Sequence, residues 1–167
     1  MGTTVAQFAA ECRRLLQAEP GPAGRRKVCD LLAQALQDPG FVTEAVDDAT
    51  PERKVLYEDP ELGFCILGHR YEGARKDVPP HDHGPSWAIY GQARGETRMT
   101  DFALVEPATE ARPGKARPVR DYSITPGTAH LYNEGELHAP LREGPTRLVR
   151  IEGVNMDRVN RLKFERA

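Results

Sequence analysis

The sequence predicts a mainly β domain, a sandwich or a barrel, behind a layer of N-terminal helices. The first 50 residues place apolar side chains at helical spacing. From Arg53 onward Val, Ile, Tyr and Thr become more frequent, and Gly or Pro recurs at the roughly 8–12-residue spacing typical of sandwiches and barrels. A chain of 167 residues can bury one hydrophobic core. We therefore expect a single domain over residues 1–167, with helices in 1–50 and the β-barrel in 53–157.

The N-terminal part predicts two amphipathic helices and a short third helical segment. The apolar stripe of the first helix, within residues 4–18, consists of Val5, Phe8, Ala9, Cys12, Leu15 and Leu16. The breaker AEPGPAG ends this helix. The stripe of the second helix consists of Val28, Leu31, Leu32, Ala35 and Leu36, and Asp38-Pro39-Gly40 follows it. The segment FVTEAV then predicts a single helical turn.

The remainder of the chain predicts eight strands separated by turn residues. They are expected at 54–58, 63–71, 86–91, 97–105, 119–124, 128–132, 136–141 and 146–154. The stretch 105–120, VEPATEARPGKARPVR, is rich in proline and charge, and we expect it to be a surface loop.

Composition argues against several classes of protein. The formal net charge of −2 predicts no broad basic surface, so we expect no nucleic-acid partner. No apolar run approaches the roughly 18 residues of a membrane span, and the N-terminus does not read as a signal peptide. We therefore expect a soluble, cytoplasmic protein. The three cysteines are far apart and odd in number, which predicts free, buried thiols.

The motif HDH is the strongest chemical signal in the sequence. In a strand, His81 and His83 point to the same face while Asp82 points away. Two neutral imidazoles on one face suit Zn, Fe, Ni or Cu. A mononuclear site needs a third ligand, and we expect His138, which lies 55 residues beyond His83. His130 is the alternative.

Two segments resemble the motifs of the cupin superfamily. PPHDHGPSWAIYGQARGET resembles the first motif, and ITPGTAHLYNEGELHAPL resembles the second. Within the cupins the resemblance is greatest to the thiol dioxygenases, cysteine dioxygenase and 3-mercaptopropionate dioxygenase, which also begin with helices, carry HDH and lack the usual glutamate ligand. The resemblance covers about residues 53–157. It implies a cupin double-stranded β-helix, which is a jelly-roll barrel, with an N-terminal helical layer.

The resemblance also implies a set of ligands. His81, His83 and His138 match the three histidines that hold Fe(II) in those enzymes, with positions left open for substrate and O₂. The glutamate of other cupins would fall at Trp87 or Ala88, and neither residue can ligate a metal. We expect Fe(II), while imidazole donors leave Zn, Ni and Mn open.

Three further residues are candidates for a catalytic role. Arg53 falls near the carboxylate-binding arginine of the thiol dioxygenases. Where those enzymes carry a Ser-His-Tyr set, this chain has Leu148, Arg150 and Glu152, whose period of two points them to one face. Arg150 and Glu152 either pair with each other or bind a substrate carboxylate and accept a proton.

The leading hypothesis is therefore a non-haem Fe(II) dioxygenase with a three-histidine site. Its partners would be O₂ and a small substrate that is anionic or a thiol, and a homodimer is an open possibility. One alternative is a Zn, Ni or Mn cupin that acts as an isomerase, hydrolase or lyase. The other is a cupin that binds a metabolite without catalysis.

Overall fold

Three helices open the chain in the computed structural model, which describes residues 2–167. They are α1 (Val5–Ala18), α2 (Pro22–Ala35) and α3 (Pro39–Ala45). Helix α1 begins at a capping box, in which the Thr4 side chain accepts from the Gln7 N–H and the Gln7 side chain accepts from the Thr4 N–H. The predicted helical layer is therefore confirmed.

Two β-sheets form the body of the domain. The described residues contain nine strands: β1 (Lys54–Glu58), β2 (Cys65–Tyr71), β3 (Ala88–Arg94), β4 (Thr97–Glu106), β5 (Gly114–Ile124), β6 (Ala129–Tyr132), β7 (Leu137–Leu141), β8 (Thr146–Glu152) and β9 (Phe164–Arg166). One sheet has the order β1-β2-β8-β3-β6 and the other β7-β4-β5-β9. A short 3₁₀ helix, Met156–Arg158, precedes β9. This is the predicted jelly-roll barrel, a double-stranded β-helix.

The prediction of a surface loop over 105–120 is wrong for more than half of that stretch. Strand β4 extends to Glu106, and β5 already begins at Gly114. Pro118 lies within β5 opposite Phe102, next to a register shift between Asp101 and Phe102. Such an irregularity accommodates a residue that lacks a backbone N–H. Strand β9, which we did not predict, pairs in parallel with the start of β5.

The helices cover the outer face of the five-stranded sheet. Its outward side chains and the helical stripes form one core that includes Phe8, Val28, Leu32, Phe41, Ile66, Ile89, Val149 and Ile151. Two glycines permit this close packing. A Cβ on Gly68 would lie 2.4 Å from the Ala45 carbonyl oxygen, and one on Gly91 would lie 2.7 Å from Leu32 Cδ2. Because strand side chains alternate, the other face of β2, β3 and β8 points between the sheets.

The three cysteines are free and buried, as predicted. Burial raises the pKa of the Cys29 and Cys65 thiols to about 11 each, so both are protonated at neutral pH. Among residues 2–167, no helix has both the length and the apolar character needed to cross a membrane.

A buried carboxylate ties α1 to the turn between β1 and β2. The Asp59 side chain has no exposed surface and accepts from Arg13 Nη1 at 2.6 Å, the Tyr57 hydroxyl at 2.9 Å and the Leu62 N–H at 2.7 Å. Burial alone would raise the pKa of Asp59, but these hydrogen bonds together lower it to about 2. The Asp59 carboxylate is therefore ionised at neutral pH.

We expect Asp59→Ala to lower the free energy of unfolding by about 3 kcal/mol, because it leaves buried donors without their acceptor. Urea denaturation at neutral pH measures the change. Glu61→Ala is the matched control, since Glu61 pairs with the same Arg13 but its side chain is 70% exposed. That control should change stability by less than about 1 kcal/mol. Equal effects of the two substitutions would contradict the prediction.

Candidate metal centre

Three histidines converge between the sheets. His81 and His138 exchange backbone hydrogen bonds of 2.9 Å in an isolated β-bridge. His83 lies just beyond this bridge, and the ligand nitrogens of all three side chains lie within 4.8 Å of one another. The expectation that HDH lies in a strand is therefore wrong. Strand pairing is limited to His81, because Pro79 and Pro80 cannot donate to a ladder and a turn begins after His83.

Backbone carbonyls orient two of the three rings. Nδ1 of His138 lies 2.8 Å from the Glu136 oxygen, and Nδ1 of His81 lies 3.1 Å from the Pro79 oxygen. A nitrogen that faces a carbonyl carries the proton, so the Nε2 atom of each ring presents its lone pair. This arrangement is typical of histidines that ligate metals.

One pair of ring nitrogens has the spacing of two ligands on one metal ion. Nε2 of His83 lies 3.3 Å from Nε2 of His138. Two nitrogens bound to one ion at about 2.1 Å lie roughly 3.0–3.4 Å apart in tetrahedral or octahedral geometry. Nε2 of His138 carries a lone pair and can therefore coordinate a metal ion that lies between the two rings. The donor set therefore fits a divalent transition metal held by His81, His83 and His138.

The Tyr90 hydroxyl points at the same position. It lies 3.0 Å from Nε2 of His83 and 3.2 Å from Nε2 of His138. Tyr90 is on β3, two residues from Ala88, where the resemblance to cupins places the missing glutamate. Tyr90 therefore places a hydroxyl oxygen next to His83 and His138.

Burial keeps all three imidazoles neutral. Desolvation lowers the pKa of His81 to about 4 and lowers those of His83 and His138 well below their usual range. Positive charges on Arg150 and Arg161 act in the same direction on His81 and His83. At neutral pH the site therefore offers unprotonated nitrogen donors in electropositive surroundings.

The other two histidines lie outside this cluster. His130 stacks between Tyr122 and Tyr132, with ring centroids 4.8 and 4.6 Å apart. His69 is buried, with Nδ1 2.7 Å from the Glu52 oxygen. The three-histidine group thus contains His138 and not His130.

The three candidate catalytic residues have different surroundings. Both carboxylate oxygens of Glu152 accept from Arg53, at 2.9 and 3.1 Å, and Glu152 is 1% exposed. Arg53 also pairs with Asp157 at 3.0 Å. Arg150 approaches Glu152 only to 3.9 Å, and its guanidinium lies 4.3 Å over the Tyr90 ring. Arg53 and Glu152 therefore form a bidentate ion pair, while Arg150 lies beside the histidine cluster.

One further residue between the sheets, Arg142, was not identified from the sequence. Arg142 is 2% exposed, donates to the Thr97 hydroxyl at 3.2 Å, and lies 4.7 Å over the ring of Tyr71. Positions 138, 140 and 142 alternate with the same period of two as the HDH motif. Counting onward from His138 would therefore have indicated Arg142.

A surface cleft of about 580 Å³ reaches the site. Its walls are the Pro79–Pro80 segment, His81 and the C-terminal residues 159–165. Arg161 lines it and donates to the Asp82 carbonyl at 3.1 Å. A volume of this size is typical of small-molecule sites.

Comparisons with known proteins find similarity in structure only. No protein-family model matches the sequence, and no curated protein matches it either. A cupin domain of Cnp3 from Schizosaccharomyces pombe is similar at a TM-score of 0.46 and 8% identity, over 62% of this chain and 64% of that one. KdgF from Halomonas sp. is similar at 0.43 and 16%, over 64% and 82%. Hydroquinone 1,2-dioxygenase PnpCD, solved with Cd²⁺ and 4-hydroxybenzonitrile, is similar at 0.46 and 18%, over 63% and 66%.

Proposed function

We propose that the protein is a mononuclear metal-dependent enzyme, a non-haem iron dioxygenase that acts on a small anionic substrate. The observation that carries this proposal is the convergence of three neutral histidine nitrogens, from His81, His83 and His138, on one point between the sheets. No carboxylate belongs to this group among the residues that the structure describes. Three protein ligands leave coordination positions open for small molecules.

The charge around the site favours an anionic substrate. Three neutral imidazoles leave both positive charges of a divalent ion without compensation from the protein. Arg150 and Arg161 add further positive charge near His81. A negatively charged substrate would compensate both the charge of the ion and the charge of the arginines. Guanidinium groups bind oxyanions through paired N–H donors.

Each nearby side chain has a distinct part in the proposal. Bound Fe(II) would supply redox chemistry toward O₂ and positions for both reactants. The backbone carbonyls behind His81 and His138 hold these two rings in position. The Tyr90 hydroxyl can donate a hydrogen bond to an oxygen or sulfur atom that enters between His83 and His138. Burial of Tyr90 raises its pKa, so its proton is retained for this bond.

A second function has one observation in its favour. Three histidines with an open position are also the donor set of catalytic zinc sites. In that case the protein would be an isomerase, hydrolase or lyase that uses Zn, Ni or Mn as a Lewis acid. The same histidines and the same anionic substrate class would serve it.

Metal analysis together with oxygen consumption separates the two functions. We expect protein produced in medium with balanced trace metals to hold about one iron per chain, and to consume O₂ with a subset of small carboxylic acids and thiols. Plasma mass spectrometry and an oxygen electrode measure the two quantities. Stoichiometric zinc, nickel or manganese without O₂ uptake would overturn the iron assignment in favour of the second function.

A further inference from the structure

Two arginines lie in the interior without a carboxylate that compensates them. Arg142 is 2% exposed, and the side chain of Arg150 is 13% exposed. Within residues 2–167, Arg142 forms no salt bridge, and the approach of Arg150 to Glu152 is long at 3.9 Å. Both oxygens of Glu152 are already bound by Arg53. A buried cation without a partner is costly, so proteins retain one where it serves a ligand.

Donors near these arginines are also unused. Nη2 of Arg142 and Nε of Arg150 are buried and have no hydrogen-bond partner among the described residues. Buried polar groups in proteins are nearly always satisfied. Two unsatisfied guanidinium N–H groups in one interior therefore indicate a missing acceptor.

The strand register brings these groups together. Strands β2 and β8 pair so that Leu67 lies opposite Arg150, His69 opposite Leu148 and Tyr71 opposite Thr146. His69, Tyr71 and Arg150 thus share the inner face of adjacent strands.

Arg142 reaches the same group from the other side of the barrel. Its guanidinium lies 4.7 Å over the Tyr71 ring, and the Tyr71 hydroxyl is 3.3 Å from Nδ1 of His69. Burial and then the charge of Arg150 lower the pKa of Arg142 to about 10. The two guanidinium groups are therefore close enough to repel each other, and both remain charged at neutral pH.

We propose that Arg142 and Arg150, with Tyr71 beside them, form a binding subsite for a doubly charged oxyanion group. Its ligand would be one end of a substrate that carries a dicarboxylate, a phosphonate or a phosphate ester. Two guanidinium groups match two negative charges, and each provides paired donors for oxygen atoms. A singly charged carboxylate leaves one buried cation uncompensated.

This inference extends the proposed function and rests on it for the position of the reacting end. Arg150 lies over the Tyr90 ring, and the Tyr90 hydroxyl contacts two of the metal-site histidines. One side chain therefore separates the anion subsite from the candidate metal centre. A compact dianionic substrate bound to the arginines would reach the histidines with its other end.

Calorimetric titration of the metal-free full-length protein tests the subsite. The probes are malonate, inorganic phosphate and acetate at constant ionic strength and about pH 8, where malonate and most of the inorganic phosphate are dianions. We expect malonate and phosphate to bind once per chain, at least about tenfold more tightly than acetate. Binding of acetate as tight as that of malonate, or no binding of any probe, would overturn the inference.

Substitutions assign the binding to the two arginines. Arg142→Met and Arg150→Met should each weaken malonate binding by about tenfold or more, whereas Arg117→Met, at an exposed position of β5, should leave it unchanged. Thermal unfolding checks that the variants fold, and Arg142→Lys, which keeps the charge but loses the planar donors, is a second test with an expected smaller loss. Equal malonate affinity in all four variants and the parent would contradict the proposal.

Failure of the subsite and failure of the metal site give different results. Arginine-dependent malonate binding by a protein that binds no metal would support the subsite and overturn the proposed function. Stoichiometric iron in a protein that binds no dianion would overturn the subsite and leave the proposed function intact.

Discussion

His83→Ala is expected to abolish stoichiometric metal binding and all metal-dependent turnover. The His83 ring is 4% exposed, and its Nε2 lies 3.3 Å from Nε2 of His138, so no other imidazole can replace it. Loss of one of three protein ligands should weaken metal affinity by more than about a hundredfold, since removing a group that only supports a ligand already costs up to about that much. Competition with a chromogenic chelator measures the affinity, and plasma mass spectrometry measures the content.

His130→Ala is the matched control for this experiment. His130 was the alternative third ligand, and its ring stacks on Tyr122 and Tyr132 outside the histidine group. We expect that variant to bind metal like the parent, while His138→Ala should behave like His83→Ala. A His83→Ala protein that binds the same metal with parental affinity would contradict the proposed site.

Glu152→Gln is expected to lower the free energy of unfolding by about 3–5 kcal/mol. The carboxylate is 1% exposed and holds Arg53 through two parallel hydrogen bonds. Its neutral replacement leaves the Arg53 guanidinium beside an amide instead of a carboxylate. Urea denaturation measures the loss. A double-mutant cycle with Arg53→Gln should show a coupling energy of at least about 1 kcal/mol.

Glu58→Gln provides the comparison at the surface. Glu58 pairs with Arg158, whose side chain is 70% exposed, so this substitution should cost less than about 1 kcal/mol. If Glu152 acts only as a proton acceptor in turnover, Glu152→Gln would lose activity with no change in its unfolding midpoint. That result would refute the anchoring role assigned here to the Arg53–Glu152 pair.

The parts of the fold that local residue patterns determine could be predicted from the sequence. Strand β1 was predicted with its observed bounds, because charged and turn residues flank a short apolar run. The helical stripes were likewise correct, since each element shows its own periodicity. The grouping of the HDH motif with His138 depends on a β-bridge between His81 and His138, across 57 positions, and the resemblance to cupins supplied that long-range information.

The remaining features depend on pairing that one sequence does not show. The sequence has three candidate partners for Glu152 in or next to strands: Arg53, Arg142 and Arg150. The alternation of side chains along a strand does not show which of them pairs with Glu152. The structure pairs Glu152 with Arg53, 99 residues away. The extension of β5 past Pro118 likewise depends on an irregularity in its pairing with β4. The prolines of this stretch indicated a loop. The irregularity that accommodates Pro118 arises only when β4 and β5 pair, so the sequence of one strand does not show it.

The carbonyl contacts behind His81 and His138 have a consequence for the order in which the protein assembles. The Glu136 and Pro79 oxygens hold these rings through the backbone, so the polypeptide shapes the site without help from an ion. Small zinc domains, by contrast, gain their folding energy from the metal and unfold when it is removed. We expect this chain to finish folding first and to acquire its ion afterwards, as an exchangeable component whose identity depends on the supply of metals in the cell.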